Sequence, residues 1–299
     1  MGEKEKKAQD WKMEYLYRMF SHHTRGKDME NYVVNAIWAR LDDLNIKPVT
    51  QQYVRRANGY ALIDLYFPQI NYGIECDEAQ HKIEANKAAD KSREDEIKRA
   101  LFACSEEGLM IRRVDAAQPA EILHNCIREI VNEIQSLVSK CGDQLEPWLS
   151  PEEKWIQIKQ RGTLRIEDSY SFKTITDICK KCFGKPEGYK IQRCFFRVGE
   201  DIMIWCPKLA IKQSDGSVRS QSKGWVNELS PDWNTITEYN DQAAQPKEVA
   251  YPERCRITFA KSKDERGEDA YRFIGIYKWA ETRDGKNIYK RCDTKLNLG

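Results

Sequence analysis

IDLYFPQINYGIECDEAQH, residues 63–81, decides how the first half of this chain folds. Two apolar runs, 60–67 and 71–77, flank a turn opened by Pro68. Alternation in the first run sets Ile63, Leu65 and Phe67 on one face and Leu62, Asp64 and Tyr66 on the other. In the second run Tyr72, Ile74 and Cys76 point one way, and Glu75 and Asp77 the other. If the strands are neighbours, Asp64, Glu75 and Asp77 converge. Like carboxylates a few ångströms apart repel by roughly 1–4 kcal/mol per pair at intermediate dielectric. A hard cation relieves that repulsion, and oxygen ligands suit Mg2+, with Mn2+ able to stand in. Such an ion activates water and stabilises charge developing on phosphate. His81 and Lys82 follow at once and offer a proton-transfer group and a cation.

The flanking sequence predicts a compact α/β unit. Residues 28–44 read as an amphipathic helix, with Val34, Ile37, Leu41 and Leu44 at helical spacing and Asp28 as N-cap. Glu30 lies on that apolar stripe, where a carboxylate is costly without a partner. A strand at 49–56 leads into Asn58-Gly59, a hairpin signal. A charged helix at 83–103, a strand at 109–114 and a periodic helix at 120–139 close the unit near residue 140. Residues 141–168, with Gly142, Pro147, Pro151, Trp148 and Trp155, read as a linker with room for one short helix. From about 169 to 299 short β-like runs predict a mainly-β barrel or sandwich, with Asp-Gly hairpin turns at 215–216 and 284–285.

Composition narrows the class. The 299 residues leave room for two domains, and 40% hydrophobic with 32% charged residues reads as globular. No run approaches the roughly 20 apolar residues of a membrane span, and MGEKEKKAQD lacks a signal-peptide core, so a cytoplasmic setting is expected. A net charge of +2 does not announce a nucleic-acid partner by itself. Local basic residues (Arg55, Arg56, Lys208, Lys212, Arg219 and Lys223) could contact a phosphate backbone. The ten cysteines are read as reduced. Cys179 and Cys182 form one CxxC; Cys194 and Cys206 would complete a zinc set only at unusual spacing.

In the second half, KGWVNELSPDWNTITEYND concentrates aromatic, amide and carboxylate groups: Trp225, Asn227, Glu228, Asp232, Trp233, Tyr239, Asn240 and Asp241. A pocket for an extruded base needs aromatic faces for stacking and polar groups for the Watson–Crick edge. Core packing of Trp225 and Trp233 is the competing explanation.

The order DLYFP…IECDEAQH, AADKSREDE and LMIRRV, with its closing helix, resembles the very-short-patch-repair branch of the PD-(D/E)xK nucleases. That branch reads DF-x-P…IEvDG-x-H…D-x-x-R…G-x-x-x-x-R. The resemblance covers about residues 25–138 and assigns Asp64 and Glu75 to the metal, with the Cys76 carbonyl as a further ligand. It makes Asp77 the following acid, His81 the general base and Glu30 the acid on the first helix. Asp77 stands where the wider superfamily keeps a lysine. Asp90 and Arg93 match the helix pair and read as an ion pair. Trp225-Val226-Asn227 and the late YRFIGIYKW run are similar to an SRA-like reader domain. Together the halves resemble modification-dependent restriction endonucleases for 5-hydroxymethylcytosine, often in its glucosylated form. That implies a nuclease domain at 1–140, a linker at 141–168 and a reader at 169–299. It also implies base flipping, double-stranded DNA carrying modified cytosine as partner, a homodimer that cuts both strands, and a prokaryotic host. The alternatives are a repair-type nuclease for mismatches or another modified base, and a catalytically inert DNA-binding module.

Overall fold

The computed structural model describes residues 3–21, 28–56, 59–77, 104–105, 107–198, 202–212, 218–219, 224–243, 248–264 and 266–299. The chain divides into two compact units that part at Ser150/Pro151.

The first unit begins with α1 (Glu3–Ser21) and α2 (Asp28–Leu41). Its five strands are β1 (Val49–Arg56), β2 (Gly59–Phe67), β3 (Tyr72–Asp77), β4 (Cys104–Ser105) and β5 (Met110–Asp115), and α3 (Ala120–Cys141) comes after them. The sheet order is β4-β1-β2-β3-β5, an antiparallel meander with a parallel strand added at each edge. Period-3.6 stripes on α2 (Val33, Val34, Ile37, Leu41) and α3 (Leu123, Ile127, Ile130, Val131, Ile134) close over Leu65, Phe67, Tyr72, Ile74 and Val114. Each such side chain contributes roughly 1.5–3 kcal/mol by leaving water. Leu44 lies beyond the end of α2 and packs instead in a small cluster of Tyr15, Leu16, Met19 and Trp148.

The expected Asn58-Gly59 turn lies in part outside the described residues, and Gly59 itself pairs with Arg56. One expectation needs correcting: alternation along β2 fails at Asp64. Ile63 packs with Val54 and Tyr66, on the side away from Leu65 and Phe67. The register Thr50↔Leu65 and Gln52↔Ile63 sets Gln51 opposite Asp64, and Gln51 has φ +54°. A left-handed residue inside a strand rotates the residues after it, so Val49 and Val54 also share a cluster despite their odd spacing.

The second unit holds α4 (Pro151–Arg161), β6 (Thr163–Arg165), β7 (Ser171–Phe172), α5 (Ile175–Phe183), β8 (Phe195–Arg197), β9 (Ile202–Trp205), β10 (Ile211–Lys212) and β11 (Val218–Arg219). It continues through β12 (Trp225–Leu229), β13 (Thr235–Asn240), β14 (Cys255–Lys263), β15 (Asp269–Arg283), β16 (Lys286–Asp293) and β17 (Lys295–Asn297). The stretch expected to be a linker therefore contains α4 and β6, and β6 pairs with the last strand, β17. The main sheet runs β12-β13-β16-β15-β14-β9-β8, with β7 against β15. Among the described residues it does not close into a barrel. Asp284 and Gly285 both have positive φ (+51° and +75°) between the paired Arg283 and Lys286, the two-residue hairpin predicted there. The 215–216 turn lies outside the described residues.

One face of this sheet, through Phe196, Ile204, Ile257, Phe259 and Phe273, packs on α4 and α5. Thr174 caps α5 by accepting from the Asp177 N–H at 3.0 Å. Cys179 and Cys182 are buried in this core with Cys206. Burial pushes the Cys179 thiol up to about 11 and those of Cys182 and Cys206 well above their ordinary value. Burial thus favours the neutral thiol at these three positions.

Candidate active site and base-binding face

In the first unit β2 and β3 stay paired only as far as Leu65↔Ile74. One residue further, the Asp64 carboxylate takes over from the backbone. Its Oδ2 accepts the Cys76 N–H at 2.8 Å, and the residue is buried. Its Oδ1 accepts from Gln51 Nε2 at 3.1 Å, while the same amide donates to Glu30 Oε1 at 2.7 Å. Glu30 is 3% exposed on α2, so the charge on the apolar stripe has its partner. The left-handed conformation of Gln51 accompanies this reach between two acids.

On β3, Glu75 is half-buried and Asp77 exposed at the strand end. The parallel register sets Glu75 beside Arg113 of β5, and Glu75 Oε2 meets Arg113 Nη2 at 3.0 Å. The Asp77 carbonyl accepts the Ala116 N–H at 3.1 Å, which anchors the start of the turn into α3. Thus Asp64 is joined to β3 through Cys76 and to Glu30 through Gln51. Among the described residues no three acidic, His or Cys side chains are drawn together closely enough to hold an ion. His81, Lys82, Asp90 and Arg93 lie outside the described residues, as do the side chains of Arg55 and Arg56.

In the second unit the sheet face turned away from the helices carries a buried polar cluster. Arg256 is 3% exposed, and its guanidinium lies over the rings of Tyr289 (4.1 Å), Phe195 (4.6 Å) and Trp205 (5.0 Å). Its Nη1 stands 3.6 Å from Glu238 Oε2, which accepts from Tyr289 OH at 3.0 Å. Burial pushes the Glu238 carboxyl up, against the pull of Arg256 and Tyr289. The Trp205 and Tyr289 ring centroids are 5.2 Å apart although β9 and β16 are three strands apart in the sheet. Flat strands would separate them by about 14 Å. The face is therefore concave.

The candidate pocket residues of KGWVNELSPDWNTITEYND divide. The register pairs Asn227 with Glu238 and Trp225 with Asn240, so these share the concave face. Asn227 is 5% exposed; its Nδ2 donates to the Lys208 carbonyl at 3.2 Å, and its Oδ1 has no hydrogen-bond partner among the described residues. Glu228 and Tyr239 fall on the alternate positions of the same strands, and Lys286 lies 4.3 Å over the Tyr239 ring. Trp233 sits in the β12–β13 turn at φ +58°, under Arg272, with its carbonyl accepting from Tyr277 OH at 2.6 Å. That is a structural setting, and Asp232 beside it ties the turn to Ser230 and Asn234. Asp241 is exposed beyond β13. Sequence reasoning missed Glu238, Arg256, Trp205 and Tyr289. A usable signal existed: Glu238 follows Ile236, and Arg256 opens RITFA, both charges at inward positions of apolar strands.

Comparison with known proteins agrees with both halves. Residues 13–150 match the family model described as restriction endonuclease PvuRts1 I-like, N-terminal, and residues 157–298 match the SET and RING associated (SRA) domain. No curated protein matches the chain. A solved structure, titled the 5-hydroxymethylcytosine-specific restriction enzyme AbaSI, superposes with a TM-score of 0.68 at 27% identity, covering 97% of this chain and 98% of that one. The chain thus joins a region that matches the PvuRts1 I-like restriction-endonuclease N-terminal family to one that matches the SRA domain, and over nearly its whole length it is similar to a 5-hydroxymethylcytosine-specific restriction enzyme.

Proposed function

We propose that this protein is a divalent-cation-dependent DNA endonuclease whose SRA domain receives an extruded 5-hydroxymethylcytosine, plain or glucosylated. The observation that carries the reading is the end-to-end pairing of the two parts in one chain, similar to AbaSI over 97% of this chain's length. The first part supplies the acids that such a nuclease needs. Asp64 and Glu75, on neighbouring strands, with the main-chain carbonyl of Cys76, form an all-oxygen donor set that suits Mg2+ or Mn2+. When bound, the ion would supply Lewis-acid stabilisation of charge on the scissile phosphate. Gln51 fixes the Asp64 carboxylate through the hydrogen bond to Oδ1 and ties it to Glu30. The Cys76 N–H holds Oδ2 toward β3. His81 is assigned the proton of the attacking water, and Asp77 supports the strand end.

The concave face supplies the reader. Trp225, partly exposed on that face, offers a stacking surface above the buried Arg256, Trp205 and Tyr289 cluster; Asn227 Oδ1 and Glu238 offer acceptors for an exocyclic amine. Two chains acting together would cut both strands, so the functional unit is read as a homodimer on double-stranded DNA.

The test is Asp64→Ala. Strand cutting is expected to disappear while binding of hydroxymethylated duplex stays within about 3-fold, since base reading and chemistry use different residues. Unchanged cutting would overturn the assigned centre.

A further inference from the structure

The Glu75–Arg113 pair has no assigned role in the chemistry above. Alternation on β5 sends its two consecutive arginines apart: Arg112 toward Glu129 (3.2 Å) and Glu133 (3.9 Å) of α3, Arg113 toward Glu75. The two partners of the Glu75 pair differ in burial. Glu75's side chain is 14% exposed, whereas Arg113's is 64% exposed. A half-sunk carboxylate is thus held by a guanidinium whose long stem can swing into solvent at small cost.

We propose that Arg113 is a displaceable counter-ion for Glu75 and a positioning residue for the DNA backbone. The inference rests on the reading of Glu75 as a metal ligand. Without a metal, Arg113 neutralises Glu75 at Oε2. A divalent cation taking Glu75 competes with Arg113 for that oxygen, and the released guanidinium can pair in bidentate fashion with a phosphodiester. Phosphate drawing Arg113 away then favours the cation, and the cation favours phosphate, because coupling between two binding events is reciprocal. Arg113 makes the metal site weak in the free protein and stronger on DNA.

The experiment titrates Mn2+ into the full-length protein by electron paramagnetic resonance, alone and with saturating unmodified duplex at low salt. Arg113→Gln is expected to bind Mn2+ about 3- to 5-fold more tightly than wild type without DNA, the scale of an exposed ion pair. Duplex should tighten Mn2+ binding to the wild type and leave Arg113→Gln unchanged. Arg113→Lys, which keeps the charge, should stay near the wild-type value and guards against a folding artefact. Equal or weaker Mn2+ binding by Arg113→Gln, or an undiminished duplex effect, would overturn the proposal. Glu75→Gln separates the two ideas: if it binds Mn2+ like wild type, the assignment of the metal ligands fails as well.

Discussion

At the scale of single residues, two polar clusters carry the proposed chemistry, and each is half legible in the sequence. Glu30 could be found because a carboxylate on an apolar helical stripe demands a partner. The partner, Gln51, could not, because its role depends on a left-handed backbone that no local pattern announces. Gln51→Ala removes the amide that orients Asp64, and ligand-orienting neighbours of this kind are worth about 10–100-fold in activity or metal affinity. A loss in that range is expected in single-turnover cutting, with duplex affinity unchanged; an unaffected rate would remove Gln51 from the site. On the concave face, Asn227 stands out in the sequence by its neighbours, whereas Glu238 and Arg256 required the fold to show which strand positions turn inward. Burial raises the Glu238 carboxyl, so it gains a proton at higher pH than an exposed glutamate does. A raised folded value means this group's contribution to stability is fully present below the unfolded value and is lost as pH rises through the folded one. In the proposed base contact the dependence runs the other way, because the carboxylate has both oxygens available as pure acceptors and the protonated acid does not. Affinity for hydroxymethylated duplex should fall as pH drops through this raised range, and Glu238→Gln should flatten that dependence. The same acid limb in Glu238→Gln would argue against the contact.

At the scale of elements, the boundaries of β1, the end of β3 at Asp77 and the Asp284-Gly285 hairpin follow from alternation and turn chemistry alone. The faces of β2 do not, because the twist at Gln51 and Asp64 inverts them. That inversion brings Ile63 against Gly73: a Cβ at Gly73 would lie 2.9 Å from Ile63 Cδ1 and 3.1 Å from Cγ2. Gly73→Ala is therefore expected to cost about 1–3 kcal/mol in urea unfolding, the usual penalty for overpacking. Adding Ile63→Val removes the nearer methyl and should recover part of the loss. A neutral Gly73→Ala would contradict the observed side of Ile63. Residues 151–165, expected to be linker with room for one short helix, gain order from distant partners. Trp155 packs on Tyr170 and Phe172, and β6 on β17. Pairing across more than 100 residues leaves no local trace.

At the scale of the whole molecule, the division into an α/β half and a mainly-β half was visible in the change of hydrophobic period near residue 140, and the motif order carried the resemblance. The curvature that makes a concave face from β8 through β16 was not visible, because it arises from strand order and bulges in β15. None of the helices among the described residues is long and apolar enough to cross a membrane. On the proposed function, modification chooses the site and the acids of the first unit cut it. The direct measurement is digestion, in Mg2+, of four duplexes of one sequence whose cytosines are unmodified, methylated, hydroxymethylated or glucosyl-hydroxymethylated. Both strands of at least one hydroxymethylated form are expected to be cut at a fixed distance from the modified base, with the unmodified duplex intact. Equal cutting of all four would contradict the account.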